Sequence, residues 1–140
     1  MKILIAVDGS AHTKRMLAYI AAHEEWLGSA HDYTVITVVL GVPSRAASFV
    51  DADTVKGYYE EEAQKVFGPI RKFFDKSGIP AKFVHKVGHP GQEVANFATK
   101  GKFDMLMLGT HGHGVLGNLV MGSVATKVLN LCSVPVLLVR

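Results

Sequence analysis

The stretch Lys2-Ile-Leu-Ile-Ala-Val7, followed at once by Asp8-Gly9-Ser10, decides the architecture. A run that is apolar at almost every position, without alternation, suits a strand buried on both faces, as in a parallel sheet covered by helices. The change to Asp-Gly-Ser ends that strand, and Ser10 is a good N-cap for a following helix. Met16, Leu17, Ile20, Ala21 and Leu27 then recur at helical spacing, and Gly28 is expected to close that helix as its C′ residue.

Working outward, residues 33–40 (YTVITVVL) are β-branched and apolar and predict a second strand. Residues 41–50 carry Pro43, Ser44, Arg45 and Ser48 and read as a loop long enough to be a mobile flap. From Asp51 to about Ser77, the positions Val55, Tyr59, Val66, Ile70 and Phe73 have helical period. A kink or break is expected at Gly68-Pro69, because proline lacks an N–H and clashes with the preceding turn. Residues 81–87 predict a third strand, 88–91 a turn, 93–100 a short helix and 104–108 (DMLML) a fourth strand. A glycine-rich loop, 109–114, follows. Gly122-Ser123 opens a last helix to Leu131, and 134–139 form a fifth strand. Alternating strands and helices predict an α/β fold, a three-layer sandwich around a parallel sheet, as one domain over residues 1–140.

Composition agrees. Of 140 residues, 49% are hydrophobic and 19% charged, which excludes a disordered chain. Cys132 is the only cysteine, so neither an intramolecular disulfide nor a cysteine zinc site is available, and it reads as a small packing residue. Five apolar residues after Met1-Lys2 are too few for the roughly 7–15 of a signal-peptide core, and no stretch reaches the ~20 of a membrane span. A cytoplasmic protein with no membrane partner is expected. The net charge of +3 is mild, and its Lys and Arg residues are scattered. There is no basic face interleaved with aromatics, so nucleic acid is not an expected partner. Tyr58-Tyr59, Phe67, Phe73 and Phe74 read as helix-face packing, and His85 and His89 as partly exposed surface residues.

Two strand ends are polar or glycine-rich where a ligand would need them: Asp8-Gly9-Ser10, and Gly109-Thr-His-Gly-His-Gly114. In an open doubly wound sheet, the ligand crevice lies at the carboxyl ends of strands where the winding reverses. Glycines let backbone N–H groups approach a phosphate, and a helix N-terminus such as Gly122-Ser123 adds further donors. A carboxylate like Asp8 suits the hydroxyls of a ribose. The spacing is not that of a P-loop, and the Rossmann glycine fingerprint is missing after the first strand. His111 and His113 lie two apart, but nothing near them in sequence completes the three protein ligands a zinc site needs. No catalytic triad, metalloprotease motif or paired carboxylate is legible, so fast enzymatic turnover is not expected.

The pattern present is Gly109-x2-Gly112-x9-Gly122-Ser123. With the opening KILIAVDGS, the segment GHPGQEV, the helix GSVATKVL and the closing SVPVLLVR, nearly the whole chain resembles the universal stress proteins of the UspA superfamily, in their ATP-binding branch. The resemblance implies a Rossmann-like fold akin to the adenine nucleotide alpha hydrolases, with five parallel strands in the order 3-2-1-4-5. It also implies ATP, or ADP or AMP, as ligand, with Mg2+ as a companion ion. Asp8 would contact the ribose, and the Val38 backbone would read the adenine edge. Gly109, Gly112, Gly122 and Ser123 would line the phosphates, with Ala6, Thr110, His111, His113, Gly114, Val115, Val124 and Ala125 alongside. His113 departs from the family, whose members often carry Arg or Lys there. A partly charged imidazole would make affinity pH-dependent.

The leading functional expectation is a nucleotide-dependent regulatory module of the stress response, with a protein partner not identifiable from sequence. A slow ATPase or nucleotidyl-transferring enzyme using the same pocket is the alternative. A ligand-free interaction protein is a third reading, against which the intact glycine motif argues. A receiver domain is excluded because the third strand ends in Val87-Gly88, without an acceptor aspartate. The apolar strand 134–139 is expected at a sheet edge, where it would pair with its copy in a homodimer.

Overall fold

The computed structural model describes residues 1–111 and 121–140. Five strands, β1 (Lys2–Ala6), β2 (Asp32–Val39), β3 (Ala81–Val87), β4 (Met105–Gly109) and β5 (Val136–Val139), form one parallel sheet in the order β3-β2-β1-β4-β5. The helices among the described residues are α1 (Ala11–Ala22), α2 (Glu24–Leu27), α3 (Ser44–Ala47), α4 (Ala52–Lys76), α5 (Pro90–Lys100) and α6 (Ser123–Leu131).

The apolar run of β1 is explained by its central place. Ile3 and Ile5 face one cluster, with Met16 and Ile20 of α1 and Phe67, Ile70 and Phe74 of α4. Leu4, between them, faces the other, with Val94 and Ala98 of α5 and Ala125 and Val128 of α6. All three β1 side chains are fully buried, each contributing roughly 1.5–3 kcal/mol of transfer free energy. A strand covered on both faces has no use for alternation, whereas the edge strand β3 is only half-buried.

Three local expectations are corrected. The first helix is interrupted at His23, whose Nδ1–H donates to the Tyr19 carbonyl (2.8 Å) while its ring stacks on Tyr19. Leu27 remains buried through the separate turn α2. Gly28 is not a left-handed cap. Its backbone is extended (φ −77°, ψ −159°), and glycine stands there because a Cβ would lie 2.7 Å from the Glu24 carbonyl oxygen. Second, the break alternative at Gly68-Pro69 is overturned, because α4 runs through both residues. Pro69 and Lys65 are both exposed, so the carbonyl of Lys65 that loses its N–H donor faces water. The buried face of Ala63, Phe67, Ile70 and Phe74 holds the helix to the sheet across that point. Third, the flap at 41–50 contains the short helix α3, and Val42 N–H donates to the Tyr59 hydroxyl (2.8 Å), tying the flap's start to α4. Elsewhere boundaries shift by a residue or two, except that α5 begins at Pro90, three residues before the expected start, and takes in part of the expected turn. β5 begins at Val136, after Pro135, which has no N–H to give.

Candidate functional site

The chain leaves β1 toward β2 and β3 on one side, then returns to place β4 and β5 on the other. The switch lies between the carboxyl ends of β1 and β4, the position where such sheets open a crevice. A cavity of about 760 Å3 is found there, within the roughly 300–1,000 Å3 range of small-molecule sites. Ala6 and Asp8 reach it from β1, Val38 from β2, Gly109, Thr110 and His111 from β4, and Gly122 to Ala125 from α6. A separate open depression around Met1, Trp26 and His31 lies at the opposite end of the strands.

Asp8 is held firmly. The Ser10 N–H donates to Asp8 Oδ1 at 2.9 Å, closing an Asx turn, and the Thr13 hydroxyl donates to the same oxygen at 3.0 Å. The Asp8 N–H donates in turn to Thr13 Oγ1 (3.1 Å). Gly9, between them, has φ +78°, the left-handed conformation the turn requires. The carboxylate thus both builds the turn into α1 and lines the cavity. Ser10 occupies the N-cap position as expected, but its side chain makes no capping bond, and its buried Oγ has no partner among the described residues.

The backbone at Val38 follows from strand geometry. The Val7 N–H donates to Ile36 O, so Ile36 turns its peptide groups toward β1. The Gly88 N–H donates to Val39 O, so Val39 turns toward β3. Val38 therefore points to the β1 side, like Ile36, but two residues beyond the Ala6–Ile36 register pair, past the end of β1. Its N–H and C=O are edge-like groups set at the cavity wall.

On the other side, the Thr110 N–H donates to Val139 O (3.0 Å) and the Gly122 N–H donates to Thr110 O (2.6 Å). The ends of the glycine motif are thereby pinned together. Gly122 is the N-cap of α6, which has no side-chain cap, so the first N–H groups of α6 lie at the cavity. Gly112, His113, Gly114 and Val115 lie outside the described residues.

Reasoning from sequence did not single out His12, Thr13, Glu62, Pro90 and Val94, which also line the cavity. Tyr58, read as packing, is exposed and lines it too. The nearness of His12 and Thr13 to Asp8 in sequence was the available signal for those two. Burial pushes the His12 imidazole below its ordinary pKa of 6.5, with Arg15 and His111 acting in the same direction and Asp8 opposing. The His111 ring is 5.1 Å away, and Thr110 Oγ1 and His111 Nδ1 are hydrogen-bonded at 2.9 Å. Among the described residues, no group of three or more His, Cys, Asp and Glu side chains could hold a metal ion, and no helix is long and apolar enough to cross a membrane.

The Universal stress protein family profile matches residues 1–140. A universal stress protein of Thermus aquaticus is 32% identical over 143 residues, covering 99% of this chain and 97% of that protein. One from Synechocystis is 28% identical, and this chain spans 42% of its length. Among solved structures, Methanocaldococcus jannaschii MJ0577 superposes with a TM-score of 0.81 at 26% identity, covering 99% of this chain and 94% of that one. Two structures share the fold at lower identity with a TM-score of 0.68 each. The Archaeoglobus fulgidus universal stress protein in complex with dAMP is 20% identical, covering 100% of this chain and 98% of that one. An Arabidopsis thaliana family member with AMP bound is 14% identical, covering 99% and 90%. The order of the strands, the crevice at the β1–β4 switch and the match over all 140 residues agree, and the chain belongs to the universal stress protein family.

Proposed function

We propose that the cavity at the β1–β4 switch binds an adenine nucleotide, with ATP as the preferred form, and that the protein is a nucleotide-dependent regulatory module of the stress response. The observation that carries this reading is the convergence of three kinds of group on one cavity. The Asp8 carboxylate suits ribose hydroxyls, the Val38 peptide suits the edge of a base, and the pinned Thr110–Gly122 junction with the N-terminus of α6 suits phosphate oxygens. The family members bound to dAMP and AMP support an adenine ligand. In this reading Ala6, Gly109, His111, Ser123, Val124 and Ala125 complete the described wall, and Mg2+ travels with the phosphates.

The chain's own residues bind and orient; none is assigned to break a bond. Isothermal titration of the purified protein with ATP, ADP, AMP and adenosine tests the reading. ATP is expected to bind more tightly than adenosine, because the phosphates gain the α6 N–H groups. If none of the four binds, the proposal fails.

A further inference from the structure

The first turn of α1 carries a histidine that the glycine motif does not include. His12 lines the same cavity as Asp8, Thr110 and Gly122. Its ring lies 5.1 Å from that of His111, tilted by 36°. Its Nδ1 is buried and has no hydrogen-bond partner among the described residues. A Cβ on residue 109 would sit 2.9 Å from His12 Cβ, so the first turn of α1 is set against the backbone where β4 opens into the glycine segment.

A buried ring nitrogen without a partner is unfavourable, and such groups concentrate where a ligand or a proton is handled. Among the described residues no bond through Nδ1 fixes the ring. Two imidazoles this close resist being charged together, whereas an anion beside them favours the charged form of each. The groups facing His12 are Arg15 on its own helix, His111 after β4 and Asp8 after β1. Tyr58 and Glu62 of α4 line the same cavity, and His113 lies outside the described residues. Asp8 alone does not offset burial, Arg15 and His111 in the free protein. A phosphate supplies the missing negative charge.

We propose that His12, paired with His111, is a phosphate-binding residue that takes up a proton when the nucleotide binds, so that affinity rises with acidity. This rests on the nucleotide-site reading above. The proton comes from solvent and stays on the imidazole, whose N–H donates to a phosphate oxygen in a charge-assisted hydrogen bond. No bond to phosphorus forms or breaks.

The test is isothermal titration of the full chain with ATP, AMP and adenosine at pH 6, 7 and 8, in two buffers of different ionisation enthalpy. Wild type is compared with His12→Asn, His111→Asn and His113→Asn. The titration of the ligand's own phosphate is common to all four proteins and cancels between them. Wild type is expected to take up protons with ATP and AMP but not with adenosine. Its excess affinity at low pH is about tenfold for each unit by which the phosphate raises the imidazole pKa. His12→Asn is expected to lose at least half of that excess and of the uptake. Retention of both in His12→Asn, or their loss only in His113→Asn, overturns the proposal and leaves nucleotide binding standing. If wild type binds none of the three ligands, the site reading fails and this inference with it. Should His12→Asn not fold, the His12 ring proton of wild type is titrated by NMR with and without ATP. A midpoint moved upward by ATP supports the proposal, and an unmoved one overturns it.

Discussion

A Cβ on Gly109 would lie 2.9 Å from the Cβ of His12 and 3.3 Å from the carbonyl oxygen of His111. Gly109 is therefore needed by the protein itself, to let the first turn of α1 close on the end of β4, before any ligand is considered. Gly109→Ala is expected to push the two apart and destabilise the fold by roughly 1–3 kcal/mol, the usual cost of overpacking. Urea denaturation without nucleotide measures this, and a wild-type midpoint would overturn it. A loss of ligand affinity in Gly109→Val would accordingly not identify a phosphate contact.

Gly122 gives the cleaner test. Its φ of −71° and ψ of 161° are open to any residue, so its backbone does not demand glycine. Gly122→Ala is expected to cost at most about 1 kcal/mol of stability, through weaker capping of α6. Gly122→Val is expected to lower ATP affinity about tenfold or more, an effect of at least ~1.4 kcal/mol, because the side chain would keep phosphates from the Thr110–Gly122 junction. Unchanged affinity in a folded Gly122→Val protein would remove the phosphate assignment.

Asp8 separates structure from recognition in a similar way. Asp8→Ala strips the acceptor from the Ser10 N–H and the Thr13 hydroxyl, at an expected cost of roughly 1–3 kcal/mol. Asp8→Asn keeps an oxygen acceptor at that place and is expected to retain most of the stability while weakening ATP binding. In wild type, 2′,3′-dideoxy-ATP should bind less tightly than ATP. Equal affinities would detach Asp8 from the ribose.

The parts of this molecule legible in sequence are those with one physical solution. The runs at β1 and β4 are apolar throughout because both faces are buried, and only a central parallel strand meets that demand. Asp8, Gly109 and Gly122 were legible because they terminate or begin such elements. His12, Tyr58 and Glu62 were not, because they sit on helices whose rotation relative to the crevice is set by tertiary packing. The break expected at Gly68-Pro69 does not occur, for the same reason. The local rule is sound, but whether it breaks a helix depends on which side faces water, and here Pro69 does. The junction of His23 and Tyr19 shows the converse, a side chain competing with backbone at a place where helical periodicity continues.

The pH dependence of the free protein follows from His12. Its folded pKa is below 6.5, so as pH falls past that value the unfolded chain gains the proton first. Stability therefore declines as pH drops through 6.5 and levels off only below the folded pKa. Wild type without nucleotide is expected to lose more stability between pH 7 and pH 5 than His12→Asn does. Denaturant midpoints at pH 5, 6, 7 and 8 measure this, and parallel profiles would show that His12 is not strained in the free state. With ATP bound, the proposed proton uptake reverses the sign, so the ligand's stabilising effect should be greater at pH 6 than at pH 8.

The two sheet edges differ in how they are guarded, and this predicts assembly. β3 carries exposed Lys82 and Lys86, charges that discourage strand addition. β5 carries none, and α6 just before it leaves Leu129 and Leu131 exposed at 41% and 45%. Val136 and Leu138 pack on one core cluster and Leu137 and Val139 on the other, so lysines introduced on β5 would disturb the fold itself. The backbone offers a better probe. Leu106 N–H donates to Pro135 O and Thr110 N–H to Val139 O, so residues 135, 137 and 139 turn toward β4. By alternation, the N–H groups of Val136 and Leu138 turn outward. A homodimer formed by antiparallel pairing of β5 across a two-fold axis would use those outward groups. Leu138→Pro removes one of them while leaving the β4 ladder intact, a placement that edge strands tolerate. Sedimentation at micromolar concentration is expected to give a dimer for wild type and a monomer for Leu138→Pro, with unchanged circular dichroism. A monomeric wild type, or a Leu138→Pro protein that is folded and still dimeric, would rule out assembly through this edge.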